Sequence, residues 1–188
     1  MFQSNLRALL IFWGPAVLLA GLVGGVSLRG AAETEDADRG YIVKVGDPMP
    51  DFRLELIDGR VVTKQDLAGK VVMLQFTASW CSVCRKEMPF IEREIWQRYR
   101  DREDFFLAGV DRDEPLETVR KFARDVGVTY PLALDPGAEI FALVAHKEAG
   151  VTRNVILDRD GRIAYLTRLF DRAEFEEMKA KIAELLGE

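Results

Sequence analysis

The chain has 188 residues, enough for one ordinary domain with some surplus. Hydrophobic residues make up 48% of it and charged residues 30%, a balance that excludes a disordered chain. A formal net charge of −5 leaves no basic excess to neutralise phosphates, which argues against nucleic acid as a partner.

Residues 8–28 (ALLIFWGPAVLLAGLVGGVSL) contain no charged side chain, and the run is long enough to cross a bilayer as a helix. Arg7 precedes it and residues 1–32 hold no acid, which favours a cytoplasmic N-terminus. Residues 1–32 therefore read as a retained signal anchor. A cleaved signal peptide, cut near Gly30 and Ala32, is the second reading. A buried soluble helix fits poorly, because the segment is apolar all round. No cysteine lies near its end, so a lipoprotein anchor is excluded. Residues 33–43 begin with ETEDADRG, acidic and small, and read as a solvated tether to a domain spanning 44–188.

Within the domain, residues 52–56 alternate apolar and polar, Asp58-Gly59 marks a turn, and residues 61–63 return as a hairpin. Residues 70–77 (KVVMLQFT) form a near-continuous apolar run, the mark of a strand buried on both faces. A helical pattern follows from Cys81 to about Arg100, with Met88, Ile91, Ile95 and Tyr99 on one side. Residues 105–110 predict a second buried strand. Pro115 then opens a helix at its favoured first position, with a stripe of Leu116, Val119, Phe122 and Val126. After a short strand and helix, residues 154–157 and 163–166 flank the turn 158–161 as an antiparallel hairpin. The last helix, 171–186, opens on Asp171 and Glu174 as a capping pair. Parallel strands joined by helices and closed by a hairpin and a helix describe an α/β domain, its mixed sheet covered on both faces.

The two cysteines of the chain, Cys81 and Cys84, stand in WCSVC. Cys81 follows a buried strand and opens a helix, where free N–H groups and the helix dipole stabilise a thiolate. Cys84 lies at i+3 on the same face and can close a small ring. That arrangement suits dithiol exchange, in which one thiolate attacks a disulfide and the second resolves the mixed disulfide. The competing uses are weaker. A structural zinc site wants about four ligands, and the chain offers two cysteines and one histidine. Attached haem needs His after the second cysteine, where Arg85 stands. A purely structural disulfide gains little from so short a loop.

FTASWCSVCRKEMP, residues 76–89, resembles the active-site signature of thioredoxin-superfamily proteins of the TlpA/ResA type, which are membrane-tethered or periplasmic thiol–disulfide oxidoreductases. GDPMPDF, DG, DLAGK and LDRDG extend the likeness from about Lys44 to the C-terminus. The resemblance implies a thioredoxin-like fold, with Cys81 as attacking thiolate and Cys84 as resolving thiol. It also implies that Trp80 shields the pair and offers partners an apolar surface, and that Pro89 kinks the helix. Gln75 falls where relatives place a buried acid or amide below the cysteines; a Gln cannot shuttle protons, so resolution would depend on water. Two departures stand out. Val83 replaces the proline common before the second cysteine, and the superfamily's cis-proline position falls on Thr152, or on Arg153 if the register slips by one. The loop Val151, Thr152 and Arg153 is the one that pairs with substrate in relatives. A cis bond is not expected at a non-proline, where it costs about 3 kcal/mol.

The resulting expectation is a disulfide reductase of exported proteins, anchored in the cell envelope with its domain on the periplasmic side, or soluble there after cleavage. Its partners would be protein thiols and disulfides and a protein electron donor, since no nucleotide or flavin fingerprint appears; the redox centre would be the Cys81–Cys84 pair itself, without a separate cofactor or metal. Cytochrome c maturation and oxidative stress are the settings the resemblance suggests. Two alternatives share the fold. A Sco-like copper protein would use Cys81, Cys84 and His146, although that family spaces its cysteines by three residues. A peroxiredoxin-like peroxidase would use Arg153 near the sulfur to lower the thiol pKa.

Overall fold

The computed structural model describes residues 39–188. The expected anchor at 1–32 and most of the expected tether lie outside the described residues. Among those described, no helix is long and apolar enough to cross a membrane.

Seven strands form one mixed sheet in the order β2-β1-β5-β4-β3-β6-β7. β1 (Arg53–Leu56) and β2 (Val61–Thr63) are the early hairpin. β3 (Val71–Thr77) is buried at every residue and occupies the middle of the sheet. It pairs parallel with β4 (Phe105–Arg112) and antiparallel with β6 (Arg153–Leu157). β5 (Leu132–Asp135) runs parallel to β4, and β7 (Ile163–Arg168) closes the late hairpin against β6. A strand flanked on both edges and covered on both faces has no polar side to show. That is why its sequence runs apolar without alternation.

Alternate β3 residues separate two hydrophobic clusters. Val72, Leu74 and Phe76 join one, and Val71 and Met73 the other. The second cluster takes the apolar stripes of all three long helices, α1 (Ser82–Ile91), α2 (Leu116–Val126) and α3 (Arg172–Leu185). The first is covered by Tyr41, Met49 and Phe52 and by two single-turn 3-10 segments, Pro136–Ala138 and Phe141–Leu143. Helices on both faces were expected from the pattern; on one face the cover is mostly irregular chain with short turns.

Local differences have local causes. Pro115 caps α2 from outside, in an extended conformation, and its carbonyl accepts from the Thr118 and Val119 amides; the helix proper starts at Leu116. Beyond Pro89, α1 passes into a π-helical segment, Glu92–Trp96, and ends in the turn Gln97–Tyr99. Asp171 caps α3 by accepting from the Ala173 and Glu174 amides, while the Glu174 carboxylate pairs with Arg39 instead of reaching back to its own cap. The expected tether also ends earlier than residue 43. Tyr41 is buried, its hydroxyl donates to the Thr167 carbonyl, and it bridges to Ala145. An acidic stretch with one aromatic residue reads as solvated chain because the partner that buries the ring is more than a hundred residues away.

Candidate active site

β3 delivers the chain to its C-terminal end, and the loop Ala78–Trp80 turns it into α1. Cys81 is the N-cap of α1, and its sulfur accepts the Cys84 amide at 3.1 Å. Cys81 and Cys84 are joined by a disulfide with their Cα atoms 5.3 Å apart. Cys81 keeps 8% of its surface exposed and Cys84 none, so an incoming sulfur can reach only the first. Trp80 is 65% exposed beside it. The loop is held from below. Glu114, just past β4, accepts the Ser79 amide at 2.5 Å and the Ser79 hydroxyl at 2.6 Å, and Arg85 donates to the Ser79 carbonyl at 2.8 Å.

Thr152 lies against both sulfurs: its Oγ1 is 3.1 Å from Cys81 Sγ and 3.3 Å from Cys84 Sγ. Val151 and Thr152 are both buried, and no cis peptide bond occurs among the described residues. Arg153 departs from expectation. Its side chain leaves the strand on the far side from Thr152 and is fully buried, with its guanidinium over the rings of Tyr41 and Phe141, 4.8 and 5.7 Å from their centroids. It donates to the carbonyls of Gly150 at 2.7 Å and Arg39 at 2.5 Å. Gly40 leaves room for it, since a Cβ there would come within 2.8 Å of Nη2. The arginine fastens the active-site loop to the start of the domain and does not serve as a cation beside the sulfurs. The peroxidase reading loses its key contact.

Gln75 sits under the site in a buried polar network. Tyr130 donates to Gln75 Oε1 at 2.6 Å, and Gln75 Nε2 reaches Glu87 Oε2 at 3.4 Å. Asn154 donates to Glu87 Oε1 at 2.7 Å and to Thr167 Oγ1 at 2.8 Å. Gly109, paired with Gln75 across the sheet, leaves room here, because a Cβ there would lie 3.3 Å from Tyr130 Cε2 and 3.5 Å from Gln75 Oε1 and would meet Leu132 Cδ2 at 2.4 Å. Glu87 was missed in the sequence. It lies one helical turn beyond Cys84 and is buried, and that burial, outweighing its two hydrogen-bond donors, pushes its carboxyl up to about 7. The available signal was position: Glu87 is i+3 from Cys84 and adjoins Met88 on the buried stripe of α1.

A second unforeseen acid is Asp111, opposite Thr77 in the β3–β4 register. It is fully buried and neither carboxyl oxygen has a hydrogen-bond partner among the described residues. Burial first, and the nearby Glu114 carboxylate next, push it up to about 8. Pro89 lies inside α1. His146 is exposed, and among the described residues no group of three or more His, Cys, Asp or Glu is arranged to hold a metal ion. The copper reading therefore has no gathered ligand set.

A thioredoxin-like sheet whose central strand feeds a Cys-x-x-Cys helix defines a thiol–disulfide oxidoreductase. The Redoxin family profile matches residues 44–183, and the chain belongs to that family. It is 27% identical over 147 residues to the thiol-disulfide oxidoreductase ResA of Bacillus thuringiensis, covering 78% of this chain and 80% of that protein. A solution structure from Bacteroides thetaiotaomicron, proposed to be a protein disulfide isomerase, is 60% identical with a TM-score of 0.77, over 79% of this chain and 94% of that one. A crystal structure from Chlorobium tepidum, proposed to be the thiol:disulfide interchange protein DsbE, is 30% identical with a TM-score of 0.68, over 77% and 99%.

Proposed function

We propose that the protein reduces disulfides of exported proteins outside the cytoplasm, with Cys81 as nucleophile and Cys84 as resolving thiol. The observation that carries this reading is the asymmetry of the pair: Cys81, at a helix N-terminus, keeps a small exposed area and accepts the Cys84 amide, while Cys84 is sealed beneath it. In the reduced protein the Cys81 thiolate attacks one sulfur of a substrate disulfide and expels the other as thiolate. Cys84 then loses its proton and attacks Cys81 Sγ, releasing the substrate's second sulfur and closing the Cys81–Cys84 bond. Two electrons pass to the substrate, and a protein dithiol donor returns them by the reverse exchange. Glu87, with its carboxyl near 7 and one turn from Cys84, is suited to take that proton, a task the Gln75 amide cannot perform. Trp80 supplies apolar surface to the partner, Val151 and Thr152 line its approach, and Pro89 sets the course of α1.

The apolar run at 8–28 supports placement in the cell envelope, as an anchor with residues 33 onward leading to the domain, or as a signal removed after export. The test is a titration of the full chain against glutathione, followed by disulfide-reduction assays. A midpoint well below about −200 mV supports a reductase, and one near −120 mV indicates an oxidant. Cys81→Ser should abolish turnover; retention of the unmodified rate would refute the mechanism.

A further inference from the structure

We propose that Thr152 is a catalytic residue whose hydroxyl donates a hydrogen bond to the thiolates formed when the Cys81–Cys84 bond opens. The inference deepens the oxidoreductase reading and rests on it. Thr152 Oγ1 lies 3.1 Å from one sulfur and 3.3 Å from the other. Disulfide sulfurs carry no hydrogen, so in this state the hydroxyl must be the donor. Thr152 is buried, and its hydroxyl has no other hydrogen-bond partner among the described residues. A buried hydroxyl without an acceptor costs free energy that a valine of the same shape would not. Packing alone therefore does not explain a threonine here.

The hydroxyl is also held in place. Leu169 donates its amide to the Thr152 carbonyl at 3.0 Å, and the next residue is the Arg153 that binds Gly150 and Arg39. A disulfide sulfur is a weak acceptor and a thiolate a strong one, so the same hydroxyl binds the reduced form more tightly. When a donor thiolate attacks Cys81 Sγ, the S–S bond breaks and its electron pair leaves on Cys84 Sγ, within reach of the hydroxyl. When Cys81 is later expelled as thiolate, it receives the Cys84 amide and the Thr152 hydroxyl together. Preorganised donors aimed at developing charge lower the barrier in both directions.

The test reads the sulfur directly. In the full chain carrying Cys84→Ser, the Cys81 thiolate is titrated by its ultraviolet absorbance, and alkylation by iodoacetamide is timed below the midpoint. Thr152→Val should raise the titration midpoint by about one pH unit, with alkylation slowed about tenfold. Thr152→Ser should stay close to the parent, since it keeps the hydroxyl. If the valine form does not fold, Thr152→Ala against Thr152→Ser makes the same comparison. An unchanged midpoint in the hydroxyl-free forms, or an equal shift in the serine form, overturns the proposal. Disulfide reduction by the unmodified chain is scored separately. A chain that titrates as predicted but reduces nothing keeps this hydrogen bond and loses the proposed function.

Discussion

Individual residues divide into those that touch sulfur and those that hold them there. Trp80 is largely exposed, so Trp80→Ala should change the denaturation midpoint little, by less than about 0.5 kcal/mol, while slowing reaction with protein disulfides. Equal loss on a small-molecule disulfide would argue against a docking role. Arg153 is the opposite case. Arg153→Ala should cost about 2–4 kcal/mol in urea denaturation, because it leaves a large cavity and strips a donor from two carbonyls. A loss under about 1 kcal/mol would mean the guanidinium contributes nothing net. The register count put Thr152 and Arg153 at the active-site loop, but counting along a chain does not say which side chain faces which way. Strand alternation sends the two to opposite sides, and only the partners, Tyr41 and Phe141, decide where the arginine ends.

At the level of elements, the long helices followed their period because each turns one apolar stripe to a single cluster, while β3, buried between two clusters, runs apolar without alternation. β3 was readable as fully buried, and the two hairpins by their turns. What escaped was set by distant pairing. Tyr41 fell inside the range given to the tether because the Thr167 carbonyl and Arg153 guanidinium that meet it are distant in sequence, and Glu87 drew no reading until α1 turned it inward. The Gln75–Glu87 network depends on β4 giving way at one point. Gly109→Ala should therefore cost about 1–3 kcal/mol through the clash with Leu132, and should part Tyr130 from Gln75. A calorimetric midpoint unchanged from the parent would mean that the strand shifts to absorb the methyl group.

Among the described residues, Glu87 and Asp111 are buried carboxyls raised far enough to hold their protons in mildly acidic solution. Glu87 is raised from 4.5 to about 7 and Asp111 from 3.8 to about 8. An acid that is protonated in the folded state and ionised in the unfolded chain takes up a proton on folding. Its full stability is therefore present below about pH 4 and is lost as pH climbs toward about 8. The surface pairs of Glu94 with Arg172 and Lys179 work the other way, since that carboxyl is lowered and its contribution fades in acid. Urea midpoints should thus peak in mildly acidic buffer and fall between pH 5 and pH 8. Glu87→Gln should remove up to about 3 kcal/mol of that decline and Asp111→Asn a further share. Midpoints that stay level or rise across this range would contradict the burial argument. The Arg39 carbonyl and the Tyr41 ring have a practical bearing on where the enzyme begins. A shortened protein starting at Lys44, where the family match starts, would lack the acceptor and the aromatic face that hold Arg153. Its cysteines would be intact while the loop over them was left unmoored, so the first few residues before the family match belong to the catalytic scaffold.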